Sequence, residues 1–214
     1  MPQQNARYIY LHGFASSSLS KKGVWLRERL AARGIALELP DLNCPSFAAL
    51  SIAAMLEEVD ALHASAPSVP LRFIGSSLGG WLAARYAELH PTRVDSLVLL
   101  CPAFDIGGRW PDILSPEAVQ RWKDKGSLLL PDGSGRMVAV HHRFYEEACA
   151  APPFPRATCP TLIIHGRQDD RVPIELSRRY VSDVPDARLV ETDDGHDLMA
   201  SLEVIEREVL AWFF

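Results

Sequence analysis

Ser77, Asp169 and His196 occur in this order along a chain of 214 residues, and together they could carry out acyl transfer. A serine hydroxyl is a weak nucleophile and needs a neighbouring base, which in turn needs a group to orient it. Ser77 lies in "GSSLG", residues 75–79, which fits G-x-S-x-G with Ser76 in the variable position. That pattern makes a sharp strand-to-helix turn, with glycines where a Cβ would crowd the backbone, and it lifts the central hydroxyl clear of the sheet. The surroundings agree: "LRFIG" precedes it as an apolar strand, and "LGGWLAARYAELH" follows with helical spacing. Asp169 lies in "LIIHGRQDDRVP", where a strand runs into a loop. The choice of Asp169 over Asp170 rests on spacing alone, and a solvated turn would use the same residues. His196 lies in "VETDDGHDLM", a glycine-containing loop before the last helix, where Asp193 and Asp194 also read as turn formers.

A fourth stretch, "YLHGFASSS" (residues 10–18), follows the first strand. A tetrahedral intermediate needs two backbone N–H donors, one from the residue after the nucleophile and one from an early strand–helix loop. Leu78 and Phe14 are the expected donors, with Gly13 letting the backbone approach. Leu78 also opens a helix, where the dipole favours negative charge. His12 reads as a supporting residue. Ser16 and its neighbours either line the substrate site or cap the next helix.

These loops must be positioned by strands. Six short apolar runs qualify: Arg7–His12, Ile35–Leu39, Leu71–Gly75, Val94–Leu100, Thr161–His165 and Ala187–Thr192. Several are apolar on both faces, as in a parallel sheet covered on both sides. Helical patterns alternate with them at about Lys21–Arg33, Phe47–Ala64, Leu78–His90, Ile174–Val181 and Leu198–Phe213. That alternation predicts a doubly wound α/β sandwich with right-handed crossovers. Active sites of such sheets assemble beyond the C-terminal strand ends, where all three loops fall. Residues 104–155 break the rhythm and read as a small cap inserted in a single domain spanning 1–214. Two helices are expected there, in "SPEAVQRWKDKG" and "MVAVHHRFYEEACAA". Trp110, Trp122, Phe144 and Tyr145 either roof an apolar pocket or form the cap's own core; the sequence leaves both open.

The composition excludes other classes. The net charge of −5 argues against a nucleic-acid binder. No apolar run is long enough to span a membrane, and the N-terminus reads as lacking a secretory signal. Four scattered cysteines without metal-ligand spacing suggest reduced thiols in the cytoplasm, with no metal and no organic cofactor implied. The oligomeric state is open.

Taken together, "LHGF", "GSSLGGW", "HGRQDDRVP" and "DDGHD" resemble the α/β-hydrolase superfamily over nearly the whole chain. Within it, "YLHGFASSSLSKKGVWLRERL" and "IGSSLGGWLA" resemble small bacterial esterases of the YqiA type and the abhydrolase-domain acyl-thioesterase branch. The resemblance implies an α/β-hydrolase fold and a serine hydrolase with a Ser77–His196–Asp169 triad, cleaving a small-molecule carboxylic ester or thioester. Acyl-protein thioesterase or acyl-glucuronide hydrolase are the alternatives. From their places in the early loop and the cap, Gly13, Ser16, Trp110 and Phe144 are the substrate-binding candidates. A non-catalytic binding protein on this fold would tend to lose a triad member, and all three are present. The chain opens directly on the strand carrying "LHG", without two strands that many relatives place before it. A mostly parallel sheet of about six strands, with helices on both faces and a small helical cap, is therefore expected.

Overall fold

The computed structural model describes residues 6–214. Residues 1–5, on which part of the N-terminal signal reading falls, lie outside the described residues. Six parallel strands form the main sheet: β1 (Arg7–Leu11), β2 (Leu37–Glu38), β3 (Leu71–Ser76), β4 (Val94–Leu100), β7 (Thr161–Gly166) and β8 (Ala187–Thr192). Their order is β2-β1-β3-β4-β7-β8, and every neighbouring pair is parallel. The direction of winding reverses between β1 and β3, which opens a crevice beyond their C-terminal ends.

Period-two geometry explains why the central strands are apolar throughout. In β4, Leu97 and Leu99 enter one core while Val98 and Leu100 enter the other. In β1, Ile9 and Leu11 face one side, and Tyr8 and Tyr10 the other. Helices α1 (Lys21–Ala31) and α8 (Leu202–Phe213) cover the second face through Leu26, Leu30, Ile205 and Val209. Helices α2 (Ile52–Ala64), α3 (Leu78–Leu89) and α7 (Ile174–Asp183) cover the first through Met55, Val59, Trp81 and Tyr180. Each such side chain contributes about 1.5–3 kcal/mol when fully buried.

Helix α2 starts five residues later than the apolar stripe predicts. Ser51 caps it, its Oγ accepting from Ala54 N–H at 3.3 Å, so Phe47–Leu50 stay outside the helix. The last helix likewise begins at Leu202 rather than Leu198, because Leu198 takes a positive φ of 50° before a 3-10 turn.

Between β4 and β7 lie α4 (Ile106–Leu114), α5 (Pro116–Lys125), an antiparallel hairpin of β5 (Ser127–Pro131) and β6 (Met137–His141), and α6 (Arg143–Ala150). The sequence predicted one helix across Met137–Ala151, whereas Met137–His141 is strand. "MVAVH" is rich in β-branched residues, and it pairs with "SLLLP" across the "DGSG" turn. Only the part from Arg143 onward is helical. Trp122 stitches this segment together, its Nε1–H donating to the Val140 carbonyl at 2.8 Å. Glu147 on α6 ties it to α2 by accepting from Ser51 Oγ (2.9 Å) and Ile52 N–H (2.7 Å).

Candidate active site

Ser77 joins β3 to α3 with φ 53° and ψ −116°, a conformation that side chains with a Cβ rarely adopt. Its backbone is held from both sides. Ser77 N–H donates to Leu100 O at 2.9 Å, and Ser77 O accepts from Gly80, Trp81 and Ala103 at 2.9–3.1 Å. The two glycines of the pattern have steric reasons. A Cβ on Gly75 would stand 2.4 Å from Gly79 O, and one on Gly79 would stand 2.1 Å from Leu11 O. So β3, α3 and β1 approach closer than any other residue permits. Ser77 precedes α3 without a side-chain cap bond, so the Leu78 N–H is the first donor of a helix end left open.

Asp169 and His196 meet at the neighbouring strand ends. The Asp169 side chain is fully buried, and its Oδ2 accepts from His196 Nδ1–H at 2.7 Å. Its Oδ1 accepts the N–H groups of Arg171 and Val172 at 2.9 and 2.8 Å. Burial works against the ionised form. Hydrogen bonds from His165 and His196 outweigh it and hold the carboxyl far below the usual carboxylate range. An ionised acceptor at Nδ1 fixes the tautomer: the proton of neutral His196 stays on Nδ1, and Nε2 is left as a free acceptor. Asp170 is exposed.

Ser77 and His196 line one cavity of about 820 Å³. They form no hydrogen bond to each other among the described residues; such contacts are often long before substrate enters and tighten with it. Gly13 reaches this cavity directly, since a Cβ there would stand 3.2 Å from Ser77 Cβ and 3.8 Å from its Oγ. The loop after β1 is pinned from behind. His12 donates from Nδ1 to Gly13 O at 2.8 Å and accepts Leu42 N–H at Nε2 at 2.9 Å. Asn43 donates to Ser16 O at 3.0 Å.

Ser16, Phe14 and Trp110 line the cavity as well. Phe144 does not. It is fully buried and stacks on the Phe14 ring at 5.8 Å, with Trp110 edge-on at 6.0 Å. Trp110 is therefore wall and Phe144 is the packing behind it. Trp122 is fully buried against Trp110 at 5.4 Å and belongs to the same cluster.

Several residues near the site escaped the sequence reading. His165 is fully buried and touches three groups: Asp169 Oδ2 (3.1 Å), Val172 O (2.9 Å) and Ser177 Oγ (2.8 Å). The first two are acceptors, so Nε2 carries the proton and Nδ1 accepts from the serine. Its signal was the four-residue spacing to Asp169 inside "HGRQD". Cys101, His165 and Asp169 offer donor atoms within 4.8 Å of one another. Those atoms suit a hydrogen-bond network better than a cation, because both histidine nitrogens are engaged and burial pushes the Cys101 thiol well up, towards the protonated form. Lys22, Arg109 and Arg171 also line the cavity, and nothing in their local sequence marks them.

The pattern of the uncharacterised protein family UPF0227 matches residues 7–210. The chain belongs to that family. Among curated proteins, this UPF0227 member is 27% identical to the mitochondrial palmitoyl-protein thioesterase ABHD10 of Rattus norvegicus, over 94% of this chain and 75% of that protein. It is 26% identical to monoacylglycerol lipase abhd6-B of Xenopus laevis, over 80% of this chain but only 51% of the lipase. The chain thus spans three quarters of the first relative and about half of the second. Among solved structures, it superposes on mouse α/β-hydrolase domain-containing protein 10 with a TM-score of 0.79 at 21% identity, covering 99% and 90% of the two chains. Est1E from Butyrivibrio proteoclasticus gives 0.78 at 22% identity, over 99% and 88%. The fold is that of the α/β hydrolases. No helix among the described residues is long and apolar enough to cross a membrane.

Proposed function

We propose that this chain is a serine hydrolase that cleaves carboxylic ester or thioester bonds by acyl transfer. The observation that carries the reading is the buried Asp169–His196 pair, which leaves Nε2 free in the cavity whose wall holds the strained Ser77. In this mechanism Nε2 takes the Ser77 proton as Oγ attacks the acyl carbon. The developing oxyanion is met by the N–H groups of Leu78 and Phe14. The proton then passes from Nε2 to the departing alcohol or thiol, leaving an acyl-serine. Water, activated by the same nitrogen, releases the acid. Asp169 stabilises the transient imidazolium and does not itself take the proton.

The substrate is a small molecule with an apolar acyl part, supported by Phe104, Trp110, Ile113, Leu114 and Leu130 in the wall. Gly13, Ser16 and Trp110 contact it, and Phe144 acts only by backing Phe14 and Trp110. The names of the rat and frog relatives are consistent with ester and thioester substrates alike. Residues 104–155 serve as a cap on a single domain. Four free cysteines support a reducing compartment, and we place the enzyme in the cytoplasm. No cofactor enters the reaction.

The test is hydrolysis of p-nitrophenyl esters from acetate to palmitate, with Ser77→Ala in parallel and a fluorophosphonate label on both. Turnover and labelling lost together in the variant are expected. Labelling that survives in Ser77→Ala would move the nucleophile elsewhere. An inert wild-type chain that also resists the label would mean a binding protein on this fold.

A further inference from the structure

The chain carries a net charge of −5, yet Lys21, Lys22, Arg109 and Arg171 line the cavity against one carboxylate, Asp197. The two half-buried cations among them, Lys22 and Arg109, are poorly partnered. Arg109 donates from Nη2 to Arg171 O at 3.1 Å and stands 3.4 Å from Asp112, but its Nε is buried with no partner among the described residues. Lys22 lies in the first turn of α1 and forms no ion pair among the described residues. Burial pushes its ammonium down, against the pull of the Asp197, Asp169 and Asp194 carboxylates. Arg171 approaches Asp197 only to 3.8 Å, with both side chains largely exposed, so that pair is weak. A half-buried cation without a close counter-ion is costly, and an arriving anion would relieve that cost.

The cations also have a direction. In the proposed reaction His196 hands its proton to the leaving atom, so the groups beside His196 face the leaving group. Asp197 is the next residue; Arg171 Nη1 stands 3.8 Å from its Oδ1, and Arg109 donates to the Arg171 carbonyl, so both cations lie on the His196 side of the cavity. We propose that the leaving group of the substrate, an alcohol or thiol, carries a negatively charged carboxylate or phosphate held by Lys22, Arg109 and Arg171. The assignment rests on the serine-hydrolase reading and narrows it.

Two matched pairs of thioesters test it. S-butanoyl-3-mercaptopropionate is compared with its uncharged amide, and S-butanoyl-4′-phosphopantetheine with S-butanoyl-pantetheine. At low salt the charged member of at least one pair is expected to have the higher kcat/KM, by roughly tenfold or more. That ratio should fall towards one in Lys22→Gln and Arg171→Gln, recover in Lys22→Arg, and shrink as salt rises. Preference in the first pair alone assigns a carboxylate, and in the second alone a phosphate. Ratios of one or less in both pairs, or ratios unchanged in both Gln variants, would overturn the proposal. If neither pair is turned over, the hydrolase reading fails only where the p-nitrophenyl esters and the fluorophosphonate label fail as well. The anion site is then decided by calorimetry of phosphopantetheine against pantetheine, and of 3-mercaptopropionate against its amide. Equal or absent binding in both pairs overturns it.

Discussion

Ser77 is held in its positive-φ conformation by hydrogen bonds at both its N–H and its carbonyl. A residue in such a region stores about 1–3 kcal/mol of strain, which the surrounding structure must over-determine. Glycine would relieve that strain. Ser77→Gly is therefore expected to raise Tm while abolishing ester hydrolysis; a lower Tm in chemical or thermal unfolding would show that the elbow is not strained. Ser76→Ala should keep most turnover, because Ser76, though it lines the cavity, holds the variable position of the turn and not the strained one. For the acid, Asp169→Asn should reduce kcat by roughly 10³–10⁴, and Asp170→Asn by little. The reason is visible in the contacts: Asp169 is buried on two histidines and two backbone N–H groups, and Asp170 is in solvent. Steady-state kinetics of the two variants decide it, and the reverse order would reassign the acid. His165 stands behind Asp169, its Nε2 3.1 Å from Oδ2.

At the scale of elements, the decisive feature is how closely β1, β3 and α3 approach. Gly79→Ala would drive a Cβ to 2.1 Å from Leu11 O, a backbone atom that cannot swing aside. A loss of about 3 kcal/mol is expected in urea unfolding. The cap is attached differently, through charge. Burial opposes ionisation of Glu147, but hydrogen bonds from Ser51 and Arg143 and from the first N–H groups of α2 overcome it and keep its carboxyl below the ordinary range. A depressed carboxylate stabilises the fold above the unfolded-state value of about 4.3 and loses that contribution as pH falls. Glu147→Gln should therefore destabilise by about 1–2 kcal/mol at pH 7. The gap from wild type should narrow below about pH 4. A gap that is the same at both pH values would mean that packing, not charge, makes this joint.

Across the whole molecule, the four thiols report on compartment and packing. Titration of the denatured, unreduced chain with a disulfide reagent should find all four free. In the native state Cys149, which is exposed, should react first. Cys159 should wait for unfolding, since burial pushes its thiol up to about 11 and thiolate is the reactive form. Fast native labelling of Cys159 would contradict its burial in the core just ahead of β7.

Local patterns sufficed for the six strands, for helices α1, α2, α3, α7 and α8 and for the parallel arrangement, because period-two and period-3.6 burial are written in the order of residues; α4 was not anticipated. Ser77 could be named because a strained turn demands glycines at fixed spacing. The hairpin β5–β6 was not legible, since "MVAVH" satisfies a helical and a strand period equally, and only the partner strand "SLLLP" chooses between them. The late start of α2 is set locally by the Ser51 cap on Ala54 N–H, and Glu147, 96 residues away, reinforces it by accepting from the same hydroxyl. Which of two adjacent aspartates meets His196, that His165 lies beneath that carboxylate, and that Lys22, Arg109 and Arg171 share a wall with Ser77 are all facts of distant chain segments brought together. A one-dimensional sequence records which side chains exist and their local rhythm. The burial, the counter-charges and the shared cavity that turn them into a site arise only where separate strand ends converge.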